Sequence, residues 1–507
     1  MNIKEAKQEI INTIRAYTLK DEAGRPVIPY EKQRPLLLMG PPGIGKTAIM
    51  QQVALECGIG LTSYTITHHT RQSAVGLPFI AKRIYDGNEY HVTEYTMSEI
   101  IASVYEQIER TGVREGILFL DEINCVSETL SPTMLQFLQY KTFGTHRVPE
   151  GYIIVTAGNP PQYNRSVRDF DIVTLDRVRK IDITEDLAVW KEYAGREGVH
   201  GAVMAYLEIH PDHFYSVRAD IEEQYFVTAR GWEDLSRVIR TYEELMIPVT
   251  EALVTEYLQD PQIASSFAAY YELYNKYKDV YRIPEILEGS WPGDLQAIGS
   301  VPFDEKLSLI GLLTDSLGQE FREYAARLAV QERLQKLLGE TRGQLKAVPE
   351  GKKADTAQIL QKLRTQTDEE RKKRSAAGMI GREEEEILYR AAKAMKELEE
   401  KLLQESSGLP AEDFSLIRNW FENREEERLS AISRTSEHLT NSFAFLSEAF
   451  GEGQEMVIFL TDLSAGYYSL KFVSDCGNEA YYKYNRLLLL DDRRSRMREE
   501  IRKLIVF

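Results

Sequence analysis

The feature that most constrains this chain is a glycine-rich run, Gly40-Pro41-Pro42-Gly43-Ile44-Gly45-Lys46-Thr47, which matches G-x-x-x-x-G-K-[ST] at every fixed position. Apolar residues 36–39 precede it, and a segment with helical spacing that starts at Ala48 follows it. Glycines let the loop turn its N–H groups toward an anion, and the positive end of the next helix adds to the attraction. We therefore expect a strand, a phosphate-binding loop and a helix, not an incidental glycine turn.

In that arrangement Gly40 to Ala48 bind a nucleotide. Lys46 is placed to reach the β- and γ-phosphates of ATP, and the Thr47 hydroxyl is placed to ligate Mg²⁺.

Length and charge bound the class of protein. A chain of 507 residues is long enough for about two to four domains. The formal charge of -17 argues against a protein that coats nucleic acid non-specifically, although a local basic groove stays open. No stretch approaches the roughly 18 consecutive apolar residues of a membrane span. Three scattered cysteines have no metal-ligand spacing, so we expect a cytoplasmic protein.

The first 185 residues alternate between strand and helix patterns. Alternating residues on both sides of Asp86-Gly87 predict a hairpin over 79–95, and a second turn is expected at Phe143-Gly144-Thr145. The adjacent His68 and His69 have no third ligand nearby, so a polar connection is favoured over a metal site. The pattern predicts an α/β domain, a parallel sheet covered by helices on both faces.

Polar residues follow two of the apolar strands. Asp121 and Glu122 come directly after Gly116–Leu120, and Asn159 follows 152–157. Asp121 is placed to hold Mg²⁺, and Glu122 to activate the attacking water, which favours hydrolysis over phosphoryl transfer to a small molecule. A strand that simply ends in two solvated acids is the alternative. Asn159 can hydrogen-bond the γ-phosphate without adding charge.

Two arginines are candidates for sensing the phosphate. Arg177 is a plausible finger for a neighbouring subunit's nucleotide, and Arg230 starts a helix that could report the phosphate state from a lid. Either arginine alone is more often a surface salt bridge, so their order along the chain is the evidence.

Beyond residue 184 the chain becomes helical. The aromatic residues of 267–281 recur at helical spacing and are interpreted as core. We predict an α/β nucleotide-binding domain over 1–185, an all-α lid over 186–290 and a helical C-terminal region over 291–507. A coiled-coil segment is expected at about 320–405.

The order of these motifs resembles the AAA+ ATPases. Residues 36–185 carry the Walker A loop, the Walker B Leu-Phe-Leu-Asp-Glu, Asn159 as sensor 1 and Asp176-Arg177 as an arginine finger, and Arg230 stands as sensor 2. The hairpin over 79–95 is similar to a helix-2 insert, and a further hairpin at about 141–152 fits the same clade. Within it the closest resemblance is to the MoxR family, through G-P-P-G-x-G-K-T, D-E-I-N and the strand-end N-P.

The pattern departs from the family at three places. Val178 stands where Phe is usual, and the basic pair Arg179-Lys180 leaves the finger open between Arg177 and Arg179. Thr-Ala-Arg replaces the common Ser-Pro-Arg of sensor 2. Residues 290–507 match no family pattern, so the resemblance covers just over half the chain.

The resemblance implies a Mg²⁺-dependent ATPase that forms a ring, usually a hexamer. It implies a chaperone-like remodeller or assembly factor with a protein client, acting with a protein that carries a von Willebrand factor A domain. Residues 67–77 and the insert hairpin would face the pore or the partner. The alternatives are a nucleic-acid motor or loader, with Lys82, Arg83, Lys141 and Arg147 as contacts, and a scaffold whose oligomeric state follows the nucleotide.

Overall fold

The chain divides into two compact units in a computed structural model that describes residues 1–68, 74, 76–163, 170–219, 224–291, 295–349 and 354–486. The first unit comprises Met1–Val189 and Glu370–Glu385, and the second comprises Trp190–Glu369 and Glu386–Phe507. Parts of the polar connection predicted after the second strand, including His69, lie outside the described residues.

The strands, in chain order, are β1 (Leu36–Met39), β2 (Gly60–Thr65), β3 (Pro78–Tyr85), β4 (Asn88–Tyr95), β5 (Gly116–Asp121), β6 (Thr142–Phe143), β7 (His146–Arg147), β8 (Tyr152–Gly158), β9 (Arg179–Asp182), β10 (Ser216–Ala219) and β11 (Gln224–Val227).

The helices of the first 290 residues are α1 (Ile3–Thr18), α2 (Lys46–Cys57), α3 (Glu99–Thr111), α4 (Ser131–Tyr140), α5 (Ile172–Leu175), α6 (Leu187–Glu197), α7 (Gly201–Ile209), α8 (Ala229–Glu244), α9 (Glu251–Tyr257), α10 (Pro261–Tyr281) and α11 (Ile283–Leu287).

The later helices are α12 (Leu295–Gly299), α13 (Phe303–Lys346), α14 (Thr356–Ala376), α15 (Arg382–Glu405), α16 (Pro410–Phe450), α17 (Gln454–Ala465) and α18 (Tyr467–Cys476). Within the described ranges, no helix combines the length and the apolarity needed to cross a membrane.

A five-stranded sheet forms the centre of the first unit, with the order β2-β5-β8-β1-β9 and every pairing parallel. Neighbouring strands are in register at their carboxyl ends, where Leu120 pairs with Thr156 and Met39 pairs with Gly158. Strands β2, β5 and β8 all lie on one side of β1, whereas the last strand, β9, lies on its other side. This change of side opens a crevice at the carboxyl ends, the place where ligands bind in open α/β sheets.

Helices cover both faces of this sheet, which confirms the predicted α/β class. Successive strand residues point to opposite faces, so Leu36 and Leu38 pack with the apolar side of α1 and α2, while Leu37 packs with α3 and α4. Both faces are buried, and this explains why the strands read as continuous apolar runs and not as alternating ones.

Two hairpins project from this unit where the turn residues predict them. The antiparallel pair β3·β4 is closed by Asp86 and Gly87, whose φ angles of 48° and 78° are the positive values of a tight two-residue turn. The shorter pair β6·β7 turns at Gly144. Apolar side chains on β3 are open to solvent, with Ile80 and Ile84 each 74% exposed.

A segment from far along the chain completes the first unit. Residues 370–385, which comprise the end of α14, the following loop and the start of α15, are part of it. The buried side chain of Gln107 on α3 donates to the carbonyl of Ala377 at 3.3 Å. Ile380 in the same segment is also buried.

The second unit is mainly helical, as predicted for the chain beyond the sheet domain. Phe267, Tyr271, Tyr274 and Tyr281 on α10 are buried, so the aromatic stripe belongs to the core. The region predicted as an all-α lid is helical apart from one short antiparallel hairpin, β10·β11.

The C-terminal helices pack against one another through a common apolar core. Long helices with Leu and Ala at helical spacing bury one face each, and the contributing residues of α13 to α16 are Val330, Leu334, Leu337, Leu338, Leu345, Ala357, Leu360, Leu363, Ala391, Ala394, Met395, Leu398, Leu402 and Ile417.

Gly116 offers a direct test of how the sheet is packed. A Cβ at this position would lie 2.5 Å from Cζ of the fully buried Tyr152, its neighbour across β5 and β8. We expect Gly116→Ala to lower the free energy of unfolding by about 1–3 kcal/mol, measured by urea unfolding, because the packed core has no room for the methyl group.

Gly195→Ala is the matched control, since it adds a methyl group within α6 with no atom inside 4 Å of the new Cβ. This variant should be as stable as the parent or slightly more stable. Equal unfolding curves for the two variants would contradict the packing described here.

Candidate nucleotide site

The glycine-rich loop lies at the carboxyl end of β1, next to the end of β8 and on the same edge of the sheet as the end of β5. Gly43 and Gly45 have φ angles of 74° and 95°, in the left-handed region that glycine adopts without steric cost. Gly45 is also the N-terminal cap of α2, which therefore starts at Lys46 with its first N–H groups unpaired inside the helix. The loop and the helix end together form an anion site.

Lys46 is held inside this loop. Its side chain is only 7% exposed, and Nζ donates to the carbonyls of Gly40 at 2.7 Å and Pro41 at 2.6 Å. Nζ also donates to Oδ1 of Asn159 at 2.9 Å. The ammonium group thus joins the loop after β1 to the residue that follows β8.

Thr47 and Asp121 bring two oxygen ligands together. The Thr47 hydroxyl donates to Oδ2 of Asp121 at 2.8 Å, and Asp121 is the last residue of β5. A hydroxyl and a carboxylate beside an anion loop are the hard oxygen donors that Mg²⁺ takes in nucleotide sites. The donor set therefore fits a magnesium–nucleotide complex.

Glu122 has an unusual backbone conformation. Its φ and ψ angles of 57° and 37° place a non-glycine residue in the left-handed region, which costs on the order of 1–3 kcal/mol. Its N–H donates to Oδ1 of Asp121 at 2.9 Å, and its carboxylate Oε2 accepts from the Thr67 hydroxyl at 3.1 Å. Strained residues that their surroundings hold in place are concentrated at functional sites.

Cys125 follows in the same turn, 123–125. Burial raises the pKa of the Cys125 thiol, and the carboxylates of Glu122 and Asp121 act in the same direction. The thiol stays neutral at physiological pH, so it is no candidate nucleophile.

Asn124 fixes the position of Asn159. The amide Nδ2 of Asn124 donates to the carbonyl of Asn159 at 2.7 Å, and the side chain is only 3% exposed. The amide packs closely against Gly158, where an added Cβ would lie 2.6 Å from Oδ1. One buried side chain therefore links the turn after β5 to the end of β8.

Sequence reasoning used Asn124 only as part of the D-E-I-N motif and placed Thr67 only in the segment 67–77 facing the pore or the partner, and it gave neither residue a contact in this site. The sequence signal of each is weak, because it consists of one polar residue shortly after a strand. Strand pairing brings Thr67 to Glu122, since Thr65 of β2 pairs with Asp121 of β5.

The structure brings together five residues proposed from the sequence: Lys46, Thr47, Asp121, Glu122 and Asn159. The arginines are placed differently. Arg230 is exposed on the first turn of α8 and belongs to the second unit. Arg177 lies between α5 and β9, and its positive charge helps to lower the pKa of Asp171, but its guanidinium forms no hydrogen bond or salt bridge with another described residue.

Arg179 has internal partners in the first unit. Its guanidinium donates to Oε1 of Glu9 at 2.5 Å and to the hydroxyl of Thr13 at 2.8 Å, both on α1. These contacts tie β9 to the N-terminal helix.

Comparison with known families agrees with this geometry. Residues 36–174 match the model of the ATPase family associated with various cellular activities (AAA). The match supports an AAA+ ATPase, and it runs from the first residue of β1 to within α5, which includes the glycine-rich loop, both acids and Asn159. None of the curated proteins compared with the chain matches it.

The contact between Asn124 and Asn159 is tested by Asn124→Asp. This change keeps the size of the side chain but replaces the donor with an oxygen that faces a carbonyl. We expect turnover of ATP to fall about tenfold or more, equivalent to about 1.4 kcal/mol, because Asn159 is displaced. Affinity for a non-hydrolysable ATP analogue should stay within about threefold, because Thr47 and the loop backbone are untouched.

Asn88→Asp is the control for the same change in charge, since Asn88 is exposed at the start of β4. Phosphate release and analogue binding are measured for both variants. Turnover by Asn124→Asp at the parent rate would rule out a positioning role for this amide.

Proposed function

We propose that this chain is a Mg²⁺-dependent, ATP-hydrolysing ring ATPase of the MoxR type. In this proposal it remodels or assembles protein complexes together with a partner protein. The AAA family match over residues 36–174 supports the broader assignment to the AAA+ ATPases. The observation that carries the hydrolytic part is the joining of Lys46, Thr47, Asp121, Glu122 and Asn159 at one edge of the sheet.

Each of these residues has a distinct task. Lys46 and the N–H groups at the start of α2 bind the β- and γ-phosphates, and Thr47 and Asp121 hold Mg²⁺. The ion, when bound, offsets the negative charge of the phosphates. Asn159 donates its amide N–H toward the γ-phosphate side, because its Oδ1 accepts from Lys46.

Glu122 acts on the water. The Thr67 hydroxyl engages Oε2 at 3.1 Å, which leaves Oε1 of the same carboxylate to orient a water molecule and accept its proton. The left-handed backbone at Glu122 aims this side chain away from the direction that a continuing strand would give it. A kinase for small molecules has no use for this second acid.

Arg177 is the better candidate for the arginine finger. Arg179 is occupied by Glu9 and Thr13 of its own chain, whereas the guanidinium of Arg177 has no such partner among the described residues. An arginine finger that serves a neighbouring subunit needs a guanidinium that is not already hydrogen-bonded within its own chain. Such a group can then donate hydrogen bonds to the transferring phosphate with fixed geometry. A ring, in which each site lies between two subunits, satisfies this requirement.

The protein-remodelling part rests on the MoxR resemblance and on the insert hairpin. The hairpin β3·β4 exposes apolar residues such as Ile80 and Ile84, and exposed apolar surface of this kind marks protein contacts. A partner with a von Willebrand factor A domain and a protein client are both proposals from the resemblance.

The nucleic-acid alternative receives less support. Of its candidate contacts, Lys82 is paired with Glu89, Arg83 with Glu94 and Arg147 with Glu31, each at 2.7 Å. Lys141 is buried, its Nζ donates to the carbonyl of Tyr30, and burial lowers its pKa to about 8. Since phosphate contacts need accessible positive charge, we rank this function below the first.

Glu122→Gln tests the hydrolytic assignment. The change removes the proton acceptor and leaves the phosphate and metal ligands intact, so ATP should bind normally while turnover falls about 100-fold or more. Glu109→Gln, an exposed residue of α3, carries the same change in charge and should turn over like the parent. Turnover by Glu122→Gln at the parent rate would disprove the mechanism.

A mixing experiment tests Arg177 and the ring together. Arg177→Ala alone should lose about a thousandfold in turnover, because the finger is absent from every site. In a mixture with Glu122→Gln, some interfaces combine an intact Glu122 from one variant with an intact Arg177 from the other. Part of the turnover should therefore return.

Arg179→Ala is the control. This variant loses its contacts to α1, so its stability should fall. At temperatures below its unfolding transition, it should hydrolyse ATP at the parent rate. If the mixture stays as inactive as its components, Arg177 does not act between subunits. Particle mass with and without ATP, recorded on the same samples, separates a hydrolysing ring from a scaffold that only changes its oligomeric state.

A further inference from the structure

We propose that the turn after α7 in the second unit is a binding site for one divalent transition-metal ion, best matched by Zn²⁺. The ligands are His210, Asp212 and His213. Among the described residues they form a cluster in which one donor atom from each side chain lies within 4.8 Å of the other two. This site is independent of the nucleotide site and of the function proposed above.

The backbone of this turn is fixed before any ion binds. His210 caps the end of α7, and Pro211–His213 form a 3₁₀ turn in which the N–H of His213 donates to the carbonyl of His210 at 3.1 Å. The indole N–H of the fully buried Trp232 on α8 donates to the carbonyl of His213 at 3.2 Å. The two imidazoles are thus held on the same side of the turn, with their rings nearly parallel and 5.0 Å apart.

The second nitrogen of His213 already has a partner. Nδ1 lies 2.7 Å from the hydroxyl of the buried Tyr206, which leaves Nε2 as the ring nitrogen that lies 3.8 Å from Oδ2 of Asp212. A metal-ligating histidine has this arrangement, with one nitrogen on the ion and the other bonded to a group that fixes the ring.

The donor set indicates the class of metal. Two imidazole nitrogens and one carboxylate oxygen suit Zn²⁺, Co²⁺ and Ni²⁺, whereas Mg²⁺ and Ca²⁺ prefer oxygen donors alone. Donors around a tetrahedral Zn²⁺ lie about 3.3 Å apart, so donors that are within 4.8 Å of one another must close by up to about 1.5 Å. Asp212, with its side chain 81% exposed, has room to move toward the two imidazoles. Three protein ligands leave a fourth position for water or for a donor from a partner.

Calorimetric titration of ZnCl₂ into the full chain, without nucleotide, tests the site. We expect one high-affinity ion per chain, retained in millimolar Mg²⁺, and a higher thermal unfolding midpoint once Zn²⁺ is bound. His210→Ala and Asp212→Asn should each weaken binding at least tenfold. Tyr206→Phe should weaken it about tenfold, because the His213 ring loses its fixed orientation.

His91→Ala is the matched control, because it removes an exposed histidine from the hairpin β3·β4. This variant should bind Zn²⁺ like the parent. Circular dichroism of His210→Ala and Asp212→Asn without metal checks that both are folded. The proposal is overturned if the parent binds no Zn²⁺, or if His210→Ala and Asp212→Asn bind it with the affinity and stoichiometry of the parent.

Discussion

The parallel pairing of five strands, with β1 between β8 and β9, is the constraint on which the nucleotide site depends. Parallel strands end at the same edge, so the loops that follow β1, β5 and β8 meet there although they are far apart in sequence. Lys46 then spans the distance from the glycine loop to Asn159, and Thr47 reaches Asp121. Without this order of strands, the same residues would not meet.

The sheet and the loop were predictable from sequence because each leaves a local signal. Strands buried on both faces appear as short apolar runs, and a phosphate loop requires glycine and lysine at fixed spacing. The turn residues Asp86 and Gly87 likewise specify a hairpin by their backbone preferences.

Other parts of the site depend on contacts between distant residues. The amide of Asn124 reaches the carbonyl of Asn159, and the hydroxyl of Thr67 reaches Glu122 because β2 lies beside β5. Neither contact follows from the residue type alone. The choice between Arg177 and Arg179 was open for the same reason, since only the packing of α1 against β9 gives Arg179 its partners.

The position of segment 370–385 in the fold was likewise not predictable from the sequence. In the sequence the segment lies inside the coiled-coil region expected at about 320–405, yet it packs into the sheet unit. Ion pairs at 3.0 Å between Arg371 and Glu385 and at 2.8 Å between Arg374 and Glu384 brace its two arms.

One contact of this segment matters for the site. Gly381 lies beside Leu55 on α2, where an added Cβ would be 3.7 Å from Cδ1 of that side chain. Because α2 starts at Lys46, one helix extends from the phosphate loop to the segment 370–385 of the same unit. A shift of the carboxyl end of α2 would therefore change the contact between Leu55 and this segment.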